Sequence, residues 1–143
     1  MPQQSYVPPP CHCTAIRQAA RQVTQIYDRH LAPAGLRASQ FAVLRAVRRY
    51  APVGMQGLAE RCVMDRTTMS RALRPLERGG LIEVSAGTDA RTRLVELTPE
   101  GHSLLERIAP AWEQAQAEFE RRFGADETSG FRAMLSRAVV QMA

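Results

Sequence analysis

The segment from Asp65 to Arg78 carries the side chains best suited to recognising a polyanion. At about 100° per residue, its apolar and polar positions separate onto opposite faces of a helix. The apolar face holds Met69, Ala72, Leu73 and Leu76, and the polar face holds Thr67, Ser70, Arg71, Arg74 and Arg78. Arginine pairs bidentately with guanine edges, and threonine or serine can bond bases or phosphates. We therefore predict that this helix reads duplex DNA, although an ordinary solvated arginine face would show the same pattern. The residues assigned to DNA contact in this segment are Arg66, Thr67, Thr68, Ser70, Arg71 and Arg74.

A second group of candidate residues lies in a polar segment between two short apolar runs. The runs Leu81–Val84 and Leu94–Leu97 predict strands, and the Gly-, Thr-, Asp- and Arg-containing segment between them predicts a hairpin with a long polar tip. Arg91 and Arg93 on such a protrusion could reach the minor groove of DNA, where narrow A-tracts attract arginine. Asp89 would then orient an arginine side chain through a charge-assisted hydrogen bond. A polar loop with an incidental ion pair is the alternative, because an Asp-x-Arg pattern is weak when taken alone.

Two thiols, Cys11 and Cys13, flank His12 immediately before the first predicted helix. A thiol at a helix N-terminus can have a lowered pKa and react with oxidants. Oxidation to a sulfenic acid or a disulfide could then shift a dimer. A disulfide between these two residues of one chain would be strained, whereas one between subunits is feasible. Reduced thiols without a role are an equally good interpretation.

Other candidate ligands are sparse. A metal site would need Cys11, His12 and Cys13 together with His30 or His102 across a dimer, and no second ligand pair at a recognisable spacing supports it. We therefore predict neither a metal nor a cofactor.

Aromatic residues on two helices could line a pocket for an effector. Tyr27 and His30 fall on the inner face of the first predicted helix, and Trp112 falls on a later one. Packing in a core or a dimer interface is the alternative for each, and we favour it for Trp112. Cys62 ends an apolar helix and is predicted to be a core residue.

The elements that position these residues follow from apolar spacing and from turn residues. Helices are predicted over 13–32, from an N-cap at Ser39 to Ala51, over Gln56–Cys62, over 65–78, from Pro99 to Phe123, and from an N-cap at Asp126 onward. The order helix, short helix, turn, helix, hairpin is that of a winged helix-turn-helix, which holds one helix rigidly for the major groove. The predicted fold is a single, mainly α domain with a small β-wing. Residues 1–12 are expected to form a flexible arm, 13–36 and 99–143 to form dimerisation helices, and 37–98 to form the winged helix-turn-helix.

The charge distribution agrees with this division. The chain has 143 residues and a net charge of +5, and all of its basic residues are arginine. Residues 37–97 carry 11 arginines and 6 acids, whereas residues 98–143 carry 5 arginines and 7 acids. No apolar run approaches the roughly 20 residues of a membrane span, and residues 1–10 lack the apolar region of a signal peptide. We expect a cytoplasmic protein that does not associate with membranes. Because no paired carboxylates, phosphate loop or Ser/His/Asp arrangement is present, we do not expect an enzyme.

An ordered series of motifs resembles the multiple antibiotic resistance regulator (MarR) family of winged-helix repressors. The series comprises Leu58-Ala59-Glu60-Arg61, Met64-Asp65-Arg66-Thr67-Thr68-Met69-Ser70-Arg71, Leu76-Glu77-Arg78-Gly79-Gly80-Leu81-Ile82, Asp89-Ala90-Arg91-Thr92-Arg93 and Val95-Glu96-Leu97-Thr98-Pro99-Glu100-Gly101. The resemblance implies an obligate homodimer that binds a pseudo-palindromic operator in double-stranded DNA. It also implies a repressor released by a small aromatic molecule or by an oxidant. A thiol- or metal-responsive sensor built on Cys11 and Cys13, and a winged-helix module for protein contacts alone, are the alternatives.

Two residues depart from what the resemblance implies. Val63 occupies a turn position that often carries glycine, and a left-handed conformation there would be strained. We therefore expect helical or bridge geometry at Val63. Pro75 lies inside the predicted reading helix and removes the hydrogen bond to the Arg71 carbonyl, which makes the reach of Arg78 hard to predict.

Overall fold

The computed structural model describes residues 5–89 and 91–143 of the chain. Within these ranges it contains helices α1 (His12–Leu31), α2 (Ala38–Tyr50), α3 (Met55–Arg61), α4 (Arg66–Arg78), α5 (Pro99–Phe123) and α6 (Ala125–Gln141), and strands β1 (Val53–Gly54), β2 (Ile82–Ala86) and β3 (Arg93–Leu97). The predicted mainly helical fold with a small β-wing is confirmed. Ala90 of the predicted hairpin and residues 1–4 of the predicted arm lie outside the described residues.

The winged helix-turn-helix is built around α2. Its buried residues Phe41, Val43, Leu44 and Val47 pack with Leu58 of α3, the buried face of α4, and Ile82 and Val95 of the sheet. The three strands pair antiparallel in the order β1-β3-β2, with Val53 opposite Val95 and Ile82 opposite Leu97. The sequence did not predict β1, because a strand of two residues has no periodicity to detect.

Two helix starts differ from the sequence prediction. Ser39 is not the N-cap of α2, because the helix starts earlier, with Arg37 as its N-cap. The Arg37 N–H donates to Gln40 Oε1 at 3.0 Å, and the Ala38 N–H donates to the Asp28 carboxylate on α1 at 2.6 Å. Asp126 is not the N-cap of α6 either. Gly124 caps that helix with φ of 115°, and the Thr128 hydroxyl donates to the Gly124 carbonyl at 2.7 Å. A glycine can take this conformation, so the chain turns sharply and α6 begins in the next residue.

The outer helices form a separate layer in which α1 packs along α5 and α6 follows as an extension. Leu104, Leu105, Ile108 and Ala115 of α5 are buried. Large apolar residues of α6 remain exposed, including Met134 at 55%, Leu135 at 44% and Val139 at 50%. This single chain therefore leaves a broad apolar face uncovered.

The predicted arm is shorter than expected, since His12 already belongs to α1. Its described part lies against that helix, with the Tyr6 hydroxyl donating to Gln18 Oε1 at 3.0 Å. None of the helices in the described part of the chain is both long and apolar enough to cross a membrane.

Candidate nucleic-acid interface

Helix α4 begins on a strong local cap. The Asp65 carboxylate accepts from the backbone N–H of Thr68 at 2.7 Å and from the Thr68 hydroxyl at 2.7 Å. Both bonds lower the pKa of the Asp65 carboxyl, and the bond from the Thr68 hydroxyl lowers it more than the bond from the backbone. The predicted N-cap is thus confirmed. The Thr68 hydroxyl donates its proton to this cap in the structure, and its predicted contact with DNA stays a prediction.

The two faces of α4 are divided as the sequence predicts. Met69, Leu73 and Leu76 are fully buried in the winged-helix core. The residues exposed on the opposite side are Arg66, Thr67, Thr68, Arg71, Arg74 and Arg78, and Ser70 is half-buried. The helix continues through Pro75 to Arg78, so the proline ends neither the helix nor its row of arginines. Burial of one face anchors the helix, and the other face is free to contact a polyanion.

The turn before α4 has an unexpected backbone conformation. Val63 has φ of 56°, in the left-handed region, so the expected helical or bridge geometry was wrong. The side chain of Val63 is 71% exposed and contributes little to the core. Neighbouring backbone bonds hold the turn instead, with the N–H of Met64 donating to the Ala59 carbonyl at 2.9 Å. A β-branched residue in this region is strained.

The wing places its arginines in water while its aspartate shapes the turn. Arg91 and Arg93 are exposed. The backbone N–H of Arg91 donates to the Asp89 carboxylate at 3.1 Å, and the N–H of Thr92 donates to the Asp89 carbonyl at 2.9 Å. In the structure the partner of the Asp89 carboxylate is this backbone amide, and the expectation that Asp89 orients an arginine side chain at DNA stays a prediction. A short aspartate side chain commonly bonds the backbone two residues on.

The end of α4 is joined to the start of α5 by a compact set of hydrogen bonds. Helix α4 ends in a Schellman motif in which Gly80 has φ of 70°. The Leu81 N–H donates to the Leu76 carbonyl at 2.9 Å, and the Gly80 N–H donates to the Glu77 carbonyl at 3.0 Å. The Leu81 carbonyl then accepts from Thr98 N–H at 3.1 Å. These bonds link the candidate reading helix to the first residue before α5.

Thr98 completes this junction with its side chain. Its hydroxyl donates to the Gly80 carbonyl at 2.6 Å and accepts from the backbone N–H of Gly101 at 3.1 Å, so the predicted helix start at Thr98 is confirmed. Gly101 is buried so closely against Leu81 that an added Cβ would overlap the Leu81 carbonyl oxygen and lie 3.1 Å from its carbonyl carbon. The requirement for glycine here is tertiary, and no local pattern indicates it.

Two thiols lie at the start of α1, and Cys62, predicted to be a core residue, lies half-buried against the core. Cys11 is the exposed N-cap of α1, and hydrogen bonding by the Thr14 hydroxyl lowers the pKa of its thiol. Cys13 is also exposed. Cys62 is half-buried, and burial raises the pKa of its thiol. Across residues 5–89 and 91–143 of one chain, no group of three or more metal-ligating residues comes together, so the metal alternative gains no support here.

A groove of about 700 Å³ lies between α1, α5 and α6. Tyr27 lines it and donates its hydroxyl proton to Gln116 Oε1. Trp112 lines it too, with the Arg45 guanidinium 4.4 Å from the centre of its ring. His30 does not line this groove of the single chain, and its predicted role in an effector site stays a prediction. Arg45, which sequence reasoning missed, brings a positive charge to this mostly apolar space.

His30 belongs instead to an ionic cluster around Glu118. The Glu118 carboxylate, on a residue only 8% exposed, lies 2.6 Å from His30 Nε2, 2.6 Å from Arg29 and 2.6 Å from Arg122. The hydrogen bond from His30 lowers the pKa of the Glu118 carboxyl most, and the nearby guanidinium groups of Arg29 and Arg122 lower it further. The cluster ties α1 to α5, and no sequence pattern indicated Glu118, because its partners on α1 are 88 and 89 residues away.

Comparison with known proteins identifies the class to which this arrangement belongs. A family model described as the MarR family matches residues 34–92. The transcriptional regulator MosR of M. tuberculosis, solved in complex with DNA, is 38% identical, with a TM-score of 0.80 over 92% of this chain and 98% of that one. Among curated proteins, the HTH-type transcriptional regulator YwoH of Bacillus subtilis is 31% identical over 65% of this chain and 68% of its own length. The transcriptional regulator HosA of Escherichia coli O157:H7 is 29% identical over 82% of this chain and 92% of its own length.

These proteins are regulators of transcription, which is not an enzymatic function, and their similarity extends across both the winged helix and the outer helices. The chain belongs to the MarR family of winged-helix transcriptional regulators.

Proposed function

We propose that the chain is a repressor that binds a pseudo-palindromic site in double-stranded DNA as a homodimer. The observation that carries this proposal is the exposed face of α4, where Thr67, Arg71 and Arg74 stand opposite a fully buried apolar face. The 38% identical M. tuberculosis regulator was solved with DNA, which supports the same partner here. Such a regulator acts in the cytoplasm, on the chromosome.

The docking mode follows from the two exposed elements. The N-terminal turns of α4 enter the major groove, where Arg71 and Arg74 contact base edges and phosphates. The wing lies beside the helix, and Arg91 and Arg93 reach the adjacent minor groove. Asp89 contributes by fixing the backbone of the wing turn, and Thr68 by capping α4, so neither needs to touch DNA.

The exposed apolar face of the outer helices supports the homodimer. Leu135 and Val139 of α6 and Ile16 of α1 are 44%, 50% and 58% exposed, so covering the remaining half of each side chain would contribute roughly 0.7–1.5 kcal/mol per residue. A second copy covers this face and places two α4 helices about one turn of DNA apart. Leu135→Glu should then convert the dimer to a monomer in light scattering. Ala133→Glu, at an exposed position about 160° around α6 from Leu135 at 100° per residue, adds the same charge and should leave the dimer intact. Equal behaviour of the two variants would refute this interface.

Duplex DNA binding across a salt series tests the central proposal. A regulator that neutralises several phosphates loses affinity steeply as salt rises, because condensed counterions are released on binding. A flat response, or no binding to duplex DNA, would overturn the proposal and favour a winged-helix module for protein contacts.

Two signals for release fit different parts of the molecule. The part of the groove beside Tyr27, Trp112 and Arg45 suits a small aromatic molecule with a negative charge, since it combines apolar walls with the Arg45 guanidinium. Arg132 and Glu120 also line the groove, and its walls at Ile16 and Leu135 belong to the face that the second copy covers. Benzoate is a simple probe: it should weaken DNA binding by the wild type and have less effect on Arg45→Gln. An unchanged benzoate response in Arg45→Gln would remove this role for the groove.

The second signal is an oxidant acting on Cys11 and Cys13. An exposed thiol with a lowered pKa at the N-cap of α1 is suited to attack a peroxide. Mild peroxide should reduce DNA affinity of the wild type but not of a Cys11→Ser, Cys13→Ser double variant, and non-reducing gels would show whether any disulfide joins two chains. The same loss in both proteins would remove the redox hypothesis.

A further inference from the structure

The junction of Gly80, Leu81, Thr98 and Gly101 connects the part of the chain that reads DNA to the part that dimerises. On one side, the Schellman motif fixes Gly80 and Leu81 to the last turn of α4. On the other side, Thr98 is the N-cap of α5, a helix of 25 residues packed against α1. Thr98 bonds both sides at once, through its backbone N–H to Leu81 and through its hydroxyl to Gly80 and Gly101.

The hydroxyl of Thr98 has two separable tasks. Its oxygen accepts from Gly101 N–H, which caps α5. Its proton is donated to the Gly80 carbonyl at 2.6 Å, which holds the end of α4. An N-cap needs only the first of these bonds, so the second is additional to what the start of a helix requires.

We propose that Thr98 is a positioning residue that sets the spacing of the two DNA half-sites through its bond to Gly80. This inference rests on the proposed DNA-binding homodimer. The bond fixes the angle between α4 and α5, and α5 in turn belongs to the layer that joins the two subunits. The separation of the two reading helices is therefore fixed at this junction as well as at the dimer interface.

A small change of angle at this junction has a large effect at the DNA. Helix α4 has 13 residues, so its N-terminus lies about 20 Å from the junction at 1.5 Å per residue. A tilt of about 10° would move that end by roughly 3.4 Å, which is the rise of one base pair. Loosening the Thr98–Gly80 bond is thus expected to relax the preference for one half-site spacing without removing the DNA-contacting side chains.

The test uses a duplex selected by the wild-type protein from a random-sequence library, and copies with one base pair inserted or deleted at its centre. Thr98→Asp keeps an oxygen that can cap α5 but cannot donate to Gly80, whereas Thr98→Ser keeps both bonds. The wild type and Thr98→Ser should bind the native spacing at least about ten-fold more tightly than the altered spacings. Thr98→Asp should reduce that ratio to about three-fold or less. The added negative charge weakens binding to all three duplexes alike, so the ratio is unaffected by it.

A folded Thr98→Asp protein that retains the wild-type ratio would overturn the inference while leaving DNA binding intact. A wild type that binds but shows no preference for spacing would overturn it too. If Thr98→Asp does not fold, Thr98→Val, which lacks both hydroxyl bonds, replaces it: a ratio of about three-fold or less supports the inference, and the wild-type ratio overturns it. Failure of the wild type to select any duplex would overturn the proposed function, and this inference with it.

Discussion

Adding one methyl group at Gly101 should destabilise the protein, although the same change usually stabilises a helix. The new Cβ would overlap the Leu81 carbonyl oxygen and lie 3.2 Å from Leu97 Cδ2. The carbonyl cannot swing away freely, because it accepts a hydrogen bond from the backbone N–H of Thr98. Relief therefore requires the wing and the first turn of α5 to separate.

The size of the effect follows from two opposing contributions. Forcing a methyl group into a well-packed site costs about 1–3 kcal/mol. Replacing glycine by alanine in a helix interior contributes at most about 1 kcal/mol of stability, and less in a first turn. With a first-turn gain of about 0.5 kcal/mol set against that cost, the free energy of unfolding of Gly101→Ala should fall by about 0.5–2.5 kcal/mol, which lowers the melting temperature by roughly 2–8 °C in a chain of this length.

Thermal unfolding followed by circular dichroism, at one fixed protomer concentration, measures this change. Gly57→Ala on α3 is the matched control, because its Cβ would meet Val53 Cγ2 at 3.7 Å and Arg61 Nη1 at 3.8 Å, which are ordinary contacts. The control should be neutral or stabilising by up to about 1 kcal/mol. Equal or greater stability of Gly101→Ala relative to the wild type would refute the argument from close packing.

Three further predictions concern the turn, the ionic cluster and the reading face. Val63→Gly should raise the free energy of unfolding by about 1 kcal/mol in chemical denaturation, since glycine takes the left-handed conformation without strain. Val63→Ala should give a smaller increase in that free energy. A Val63→Gly protein less stable than the wild type would contradict the argument that Val63 is strained. The lowered pKa of Glu118 means that its ionised form stabilises the fold above the ordinary carboxyl pKa of about 4.3, and that this contribution is lost as the pH falls through the lower folded value. The difference in melting temperature between wild type and Glu118→Gln should therefore narrow from pH 7 to pH 3, and a constant difference would show that the charge is unimportant. Arg71→Ala should cost about 1–3 kcal/mol of DNA binding and relax sequence preference, whereas Arg91→Ala or Arg93→Ala should weaken all sequences evenly and reduce the salt slope by about 1; unchanged affinity in all three would exclude the proposed docking mode.

Features governed by neighbouring residues could be predicted from the sequence. The division of α4 into a buried and an exposed face follows from helical periodicity alone. The caps at Asp65 and Thr98 involve partners three residues away, and both are present. The end of α4 at Gly79-Gly80 follows from the tolerance of glycine for positive φ.

Features that depend on distant partners could not be predicted. The first backbone N–H of α2 is satisfied by Asp28 on α1, so a search for a local cap selected Ser39 although the helix begins earlier. Arg45 meets Trp112, and Glu118 meets Arg29 and His30, only because α2 and α1 pack on α5. A periodic pattern shows which face of a helix is apolar, but it does not show which residue of another helix will face it.

The exposed cations of α4 and the wing are all guanidinium groups, and the chain contains no lysine side chain. A guanidinium presents five N–H donors in a planar fork and no acceptor, which suits it to pair with phosphates and guanine edges. Acetyl transfer to lysine, which removes positive charge from many basic surfaces, finds no acceptor side chain here. Neutralisation of these basic side chains by lysine acetylation is therefore closed to this chain, and in the proposed dimer a release signal would act through the angle and spacing at which the two α4 helices are held.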